Sequence, residues 1–397
     1  MGRLSGRAPE RGFAALAGTS VIRAYGYALM ATYLSFYAAA FDATGLWIGA
    51  FTTAFALAQT ATTVALGAWG SGDRVRRLLV WGALGSAATY VGFLFVVDEV
   101  TLVVARIAQG ITISVLFVLG TAAVSTRAST DERGRHVGIF NQVGALAGGL
   151  GTASAGVIYE FAGFAPGYLL LAAASLGSAW LLRGTDLGVD GLDAGDGVNG
   201  YRQLVEQPAM RGLAAYRVGT GFAKTAVRVY LPIYAYLAVS LSGPQVGVVL
   251  TAPRLVRALC QGYTGTLADT IGRRPLLGVA ALLYVGAAAI VPFTASFYPL
   301  IACALVFGVA DACRVPASVA LFTEIGTASR ALTSLSLRSL LWKPGAVLAP
   351  LLAGVIHDYA TIGLVFYATA AVMLVSVTVA AWLDTSQSVF GSTSLPQ

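Results

Sequence analysis

Charge is what this sequence has least of. Only 11% of its 397 residues are Asp, Glu, Lys or Arg, where a soluble domain carries roughly 25%. So little polar surface cannot cover a core of this size, which excludes an ordinary water-soluble enzyme and a disordered chain. Cysteine is scarce as well. Cys260, Cys303 and Cys313 all fall in apolar segments, so there is no disulfide framework and they read as small buried side chains. The two histidines, His136 and His357, sit at helix ends on opposite sides and leave no ligand set for a structural metal. There is no Gly-rich phosphate loop and no paired carboxylate. No catalytic residue, metal or cofactor is therefore assigned.

What is present is apolar sequence, 57% of residues, with a mean hydropathy of +0.76. A membrane helix needs about 20 apolar residues. Twelve segments qualify: 13–40, 45–69, 77–97, 100–124, 136–158, 163–183, 211–239, 244–268, 274–295, 297–323, 333–356 and 361–383. The first is too long for a cleaved signal peptide, no A-x-A site follows it, and it reads as the first span. Between spans six and seven lies the longest polar stretch, 184–210, rich in Asp and Gly with Pro208. It divides the chain into a six-span half over 1–183, a linker over 184–210, and a second six-span half over 211–397 that ends in a polar tail.

The loops carry their charge asymmetrically. With the N-terminus inside, fifteen Arg fall in inner segments and no Lys or Arg in outer ones; Asp42, Asp98, Glu99, Glu160 and Asp358 fall outside. Positive charge marks the cytoplasmic side, so both termini are expected there, in a multi-pass protein of the cell membrane.

The two halves repeat. Tyr33-Leu34-Ser35-Phe36-Tyr37 in span 1 matches Tyr230-Leu231-Pro232-Ile233-Tyr234 in span 7, 197 residues later. Asp73 and Asp269 then follow at nearly equal distances, each before an Arg pair. Parallel six-helix repeats are one known transporter design.

The segment Gly265-Thr-Leu267-Ala-Asp269-Thr-Ile-Gly272-Arg273-Arg274 resembles the inner-loop signature of the major facilitator superfamily, G-x-L-x-D-R-x-G-R-R/K, with Thr270 replacing one Arg. Asp73-Arg74 is a degraded first-half copy. Arg106-Ile-Ala-Gln109-Gly110 matches the family's R-x-x-Q-G motif in helix 4. The Gly-rich helix 5 is similar to the family's antiporter segment but lacks its Gly-Pro pair. The resemblance implies an all-α membrane protein of twelve transmembrane helices in two pseudo-symmetric bundles, with spans 1, 4, 7 and 10 lining a central cavity. It also implies a conformational latch at the loop motif and a monomer as the working unit.

Ten basic residues lie within spans: Arg23, Arg106, Arg217, Lys224, Arg228, Arg254, Arg257, Arg314, Arg338 and Lys343. Each costs about 2.5–3.5 kcal/mol at a helix centre and so needs a partner or a wet cavity. Arg217 and Arg338, near span ends, are expected to snorkel. Arg217, Lys224 and Arg228 share a helical face, and Asp311 and Arg314 are spaced i, i+3 and can pair. None of the ten is on spans 3, 6, 9 or 12, which the resemblance places against lipid. Asp311 is the one carboxylate near mid-span.

The residues expected to contact substrate are therefore Arg23, Lys224, Arg228, Arg254, Arg314 and Lys343. Asp311 with Arg314 forms an ion pair or a coupling site for a proton or sodium ion. The solute is expected to be small and anionic, carried by alternating access; efflux of drugs or lipophilic solutes is the alternative. The partners are the lipid bilayer and the solute, with no role for nucleic acid.

Overall fold

The structure, a computed structural model, describes residues 7–69, 72–127, 133–184, 208–325 and 337–390. Among these residues it contains twelve long α-helices, and no strand occurs. They are α1 (Arg7–Ala40), α2 (Gly45–Trp69), α3 (Gly72–Gly92), α4 (Glu99–Arg127), α5 (Arg133–Ala162), α6 (Ala165–Arg183), α7 (Pro208–Ile233), α8 (Gly243–Ile271), α9 (Arg273–Ile290), α10 (Phe297–Ile325), α11 (Lys343–Tyr359) and α12 (Ile362–Phe390). The protein is an all-α membrane protein built as two bundles of six transmembrane helices. On length and apolarity alone α3, α4, α6, α9, α10, α11 and α12 suffice to cross a bilayer. Of the rest, α1, α7 and α8 carry Arg23, Arg217, Lys224, Arg228, Arg254 and Arg257, and α2 and α5 are rich in Thr, Gln and Gly. The expected linker core, 185–207, lies outside the described residues.

Two compact units emerge: Met1–Ala43, Ala50–Gly195 and Ser242–Gly247 in the first, and Thr44–Gly49, Asp196–Leu241 and Val248–Gln397 in the second. In the first unit α1 lies along α5 and α3 along α6. A side chain at Gly151 would come within 2.5 Å of the Tyr25 carbonyl, so the glycines of α5 let α1 approach. Leu16, Leu79, Leu116, Leu119, Phe140 and Leu182, from five helices, fill one apolar core. The span-1 motif residues Phe36 and Tyr37 stack on Tyr159 and Phe164 at 4.0 and 4.1 Å, so the Tyr-rich repeat packs helices together. In the second unit α7 lies along α12 and α11, and α9 along α10. Tyr230, the repeat partner of Tyr33, donates to the Pro350 carbonyl at 3.0 Å.

The repeat is visible turn by turn. Asp42 and Ser240 are the two non-glycine residues with positive φ among the described residues, at 48° and 57°. They are 198 residues apart. The same interval separates the starts of α2 and α8, and the 3₁₀ turns Phe93–Phe95 and Val291–Phe293. The tyrosine motif, by contrast, repeats at 197. The extra residue is taken up in α7, whose end is wound as a π-helix over Tyr234–Ala238; Val239 N–H reaches back five residues to the Tyr234 carbonyl at 3.0 Å.

Candidate functional site

In the second unit the sparse charges converge. Asp311 on α10 accepts from Arg314 Nη2 at 2.7 Å and Nε at 3.2 Å through one oxygen, while its other oxygen is bound by Lys224 Nζ from α7. The i, i+3 spacing that predicts the Asp311–Arg314 pair is realised, and Lys224 joins it from 87 residues away. Two helix crossings hold this arrangement. A Cβ at Gly308 would meet the Pro253 carbonyl at 2.8 Å, which brings α8 against α10, and Thr264 donates to the Ala312 carbonyl at 2.7 Å on the same seam. Arg228 and Arg257 are close enough to add their charge to the field at Lys224.

Where α7 meets α11 the backbones nearly touch. A Cβ at Gly345 would fall 2.1 Å from the Val218 carbonyl, and one at Gly221 would fall 2.4 Å from the Trp342 carbonyl. Ahead of this crossing the chain is helical over 337–340, turns at Leu341–Trp342, and resumes as α11 with Lys343 first and Pro344 next. Proline has no N–H to continue the preceding helix, so the break falls where Pro344 and Gly345 predict a bend. Lys343 thus starts a helix, whereas the sequence places it near mid-span.

Arg217 departs from its expected role. It is buried rather than snorkelling. Its Nε donates to the Arg338 carbonyl at 3.1 Å and its guanidinium lies 5.1 Å from the Trp342 ring centre. Its Nη1 is buried with no hydrogen-bond partner. Arg338 is half-buried and donates to Ser318 Oγ at 2.9 Å. Arg217 is thus a candidate the sequence reading omitted, although its shared face with Lys224 and Arg228 was the signal. Arg254 and Lys343 are half-buried on α8 and α11.

The first unit holds two buried cations of different character. Arg106 is 2% exposed. Its Nε donates to the Phe51 carbonyl on α2 at 3.0 Å, Nη1 is held by Gln109 Oε1, and the guanidinium sits over Phe55 at 4.4 Å. Gly110 completes the motif, because a Cβ there would meet the Phe55 carbonyl at 2.5 Å. The Arg-x-x-Gln-Gly sequence is therefore a clasp between α4 and α2, with Arg106 Nε and Nη1 both spent on protein. Among the described residues, Arg23 on α1 makes only a long contact to Ser20 Oγ, 3.5 Å, and lies 4.6 Å from the Phe117 ring centre. Its Nε is buried without a partner. Of the tyrosines considered, Tyr25 bonds Ser154 at 2.6 Å, and the Tyr216 hydroxyl is buried and unpartnered.

At the loop motif, Gly272 has φ 94° and caps the start of α9, a conformation that requires glycine. Arg273 is half-buried and Arg274 exposed, while a Cβ at Gly265 would face open space. The side chains of Asp73, Arg74 and Asp269 lie outside the described residues. Outside the bilayer, Asp98 caps α4: it accepts the Thr101 N–H at 2.8 Å, and that bond holds its carboxyl below the usual range. Among the described residues no three His, Cys, Asp or Glu side chains gather to hold a metal.

Comparison with known proteins accords with this architecture. A family model described as Major Facilitator Superfamily matches residues 16–217 and again 213–392. No curated protein sequence matches the chain. Among solved structures, a bacterial homologue of the human lysosomal transporter Spinster, inward-facing and unoccupied, superposes with a TM-score of 0.80 at 12% identity, covering 95% of this chain and 97% of that one. The nucleoside transporter NupG superposes with a TM-score of 0.75 at 11% identity, covering 94% and 99%.

Proposed function

From the premise that the chain belongs to the Major Facilitator Superfamily, matched over both halves, we propose that it is a secondary transporter of a small anionic solute. The observation that carries this reading is the balance of charge in the second unit. One carboxylate, Asp311, is shared by Lys224 and Arg314, while Arg217 and Arg338 bond only neutral groups through the donors described above. Buried positive charge that Asp311 alone does not balance among the described residues calls for an anion. Guanidinium donors suit a carboxylate or phosphate, which takes two parallel N–H bonds.

The mechanism is alternating access, with the halves moving about a midplane site. In the empty carrier Asp311 stands in for the solute and keeps Lys224 and Arg314 oriented. An arriving anion competes for these cations and recruits Arg217 and Arg228; Arg23 on α1, with its unpartnered Nε, is a candidate contact within the first unit. Arg254 and Lys343 set the surrounding potential. Asp73, Arg74 and Asp269, with Gly265, Gly272, Arg273 and Arg274, form the inner latch. Exchange of anions needs no protonatable carboxylate, so coupling to a proton or sodium ion at Asp311 is a separate question, answered by imposing each gradient. Both termini are cytoplasmic and one chain is the working unit.

The test is reconstitution in liposomes with labelled organic and inorganic anions beside nucleosides and cationic drugs. Anion uptake lost in Lys224→Ala and weakened at sub-saturating solute in Arg217→Gln is the expected result. Transport of neutral or cationic solutes, indifferent to both substitutions, overturns the anion reading.

A further inference from the structure

The starts of α2 and α8 are capped by carboxylates from elsewhere in the chain. Asp358, at the end of α11, accepts the Gly45 N–H through one oxygen and the Leu46 N–H at 2.9 Å through the other. Glu160, at the end of α5, accepts the Gly243 N–H at 3.1 Å. The two caps are copies of one device. Gly156-Val-Ile-Tyr-Glu160 recurs as Gly354-Val-Ile-His-Asp358, and Gly45 and Gly49 recur as Gly243 and Gly247, all 198 residues apart. A Cβ at Gly156 would overlap the Gly243 carbonyl, and one at Gly354 the Gly45 carbonyl. Backbone thus meets backbone at both crossings.

Each cap sits where the chain changes unit. Thr44–Gly49, the start of α2, belongs to the second unit, although α2 continues in the first from Ala50; Ser242–Gly247, the start of α8, belongs to the first unit, although α8 continues in the second from Val248. A helix cap is ordinarily supplied by the residue just before the helix. Here the acceptors come from 313 and 83 residues away, so these bonds tie a helix start to a unit that the rest of the helix leaves. Glu160 and Asp358 are exposed. Water therefore replaces either contact when it parts, which suits a bond that is made and broken repeatedly. The caps are also remote from the loop motif. Helix α8 runs 29 residues from Gly243 to Ile271, about 40 Å, which exceeds the thickness of a bilayer's hydrocarbon core. Its ends thus lie on opposite faces, with Gly272 just beyond one and the Glu160 cap at the other.

We propose that the two caps close the carrier on the face opposite the loop motif, and that they release in order, Glu160 before Asp358. This role rests on the transport reading, in which alternating access needs a barrier on each face. The units cannot part at this face while both helix starts are held. Each carboxylate faces the positive end of the helix it caps. Asp358 takes two N–H groups and Glu160 takes one among the described residues, and the Tyr230 hydroxyl adds a donor 3.2 Å from the Gly45 carbonyl. The α2 cap is therefore the stronger, and the start of α8 comes free first.

The experiment uses the full-length protein in lipid nanodiscs without solute. Spin labels at Phe95→Cys and Phe293→Cys, with Cys260, Cys303 and Cys313 replaced by Ala, report the distance across that face by electron paramagnetic resonance. Both positions are exposed and lie in the equivalent 3₁₀ turns after α3 and α9. Asp358→Asn is expected to raise the longer-distance population roughly fivefold relative to the shorter, the value of one surface contact with a helix N-terminus. Glu160→Gln raises it less, and the double variant raises it most. Gly354→Ala, which forces the Gly45 carbonyl away, moves the distribution the same way. Gly149→Ala, on α5 where a Cβ meets nothing within 4 Å, does not. If Asp358→Asn fails to fold, Glu160→Gln and Gly156→Ala decide. Unchanged distances in variants that merely melt earlier overturn the closure, and a larger shift in Glu160→Gln than in Asp358→Asn overturns the order. Since no solute is present, the two readings fail separately. Unchanged distances with anion uptake intact sink the closure alone, whereas lengthened distances in a protein that moves no solute sink the transport reading and leave the closure in place.

Discussion

Arg314 places two of its donors on a single oxygen of Asp311, at 2.7 and 3.2 Å, and so leaves the other oxygen to Lys224. One carboxylate ties α10 to α7 and orients two cations at once. Removing it leaves both cations without their counter-charge. Asp311→Ala is therefore expected to destabilise the protein by about 3–5 kcal/mol, as loss of one member of a buried pair does. The double variant Asp311→Ala/Lys224→Ala should recover part of the loss. A thermal-unfolding double-mutant cycle in detergent measures this; strictly additive losses would show that the two residues do not interact.

Arg23 and Arg217 each keep one buried N–H without a partner among the described residues. Glutamine at either position should raise KM for the transported anion about tenfold, with a smaller change in kcat, as expected for loss of one charge-assisted hydrogen bond. Initial-rate uptake over a range of solute concentrations makes the comparison. An unchanged KM in both variants excludes these two residues from the site.

Arg106 should behave in the opposite way. Its fork is used on the Phe51 carbonyl and Gln109, so Arg106→Lys keeps the charge but loses the geometry. Expression and melting temperature are expected to fall for Arg106→Lys nearly as far as for Arg106→Ala. Transport per folded molecule should keep its solute preference in both.

The crossing of α7 and α11 leaves no room for a methyl group at Gly345, where a Cβ falls 2.1 Å from the Val218 carbonyl. Gly345→Ala should cost about 1–3 kcal/mol, the usual range for overpacking. Gly286→Ala, on α9 where a Cβ meets nothing within 4 Å, should instead stabilise by up to about 1 kcal/mol through helix propensity. Melting temperatures of the two variants, measured side by side, test the contrast.

Much of the fold is legible in the sequence because membrane helices satisfy their own backbone and declare themselves by length. The i, i+3 spacing likewise marks Asp311–Arg314 without a structure. The Lys224–Asp311 contact is not readable in this way, because nothing local relates positions 87 apart on different helices. The burial of Arg217 is hidden from the sequence for a related reason. Distance from a span end says how far a side chain must reach for water, but not that the Arg338 carbonyl and Trp342 lie nearer. The Arg106 motif could be recognised but not interpreted, since its meaning rests on a carbonyl of α2.

The one-residue difference between the 197 and 198 intervals has a consequence beyond bookkeeping of the repeat. A π turn absorbs an added residue by widening the helix and not by extruding a loop. The two copies therefore end their first helices with different mechanics. Tyr234–Ala238 bears bonds of longer reach, with Val239 N–H on the Tyr234 carbonyl and Leu241 N–H on the Ala235 carbonyl, where α1 runs α-helical to Ala40. A chimera that exchanges α1 for α7 must carry this residue across, or every side chain beyond the join turns by about 100°.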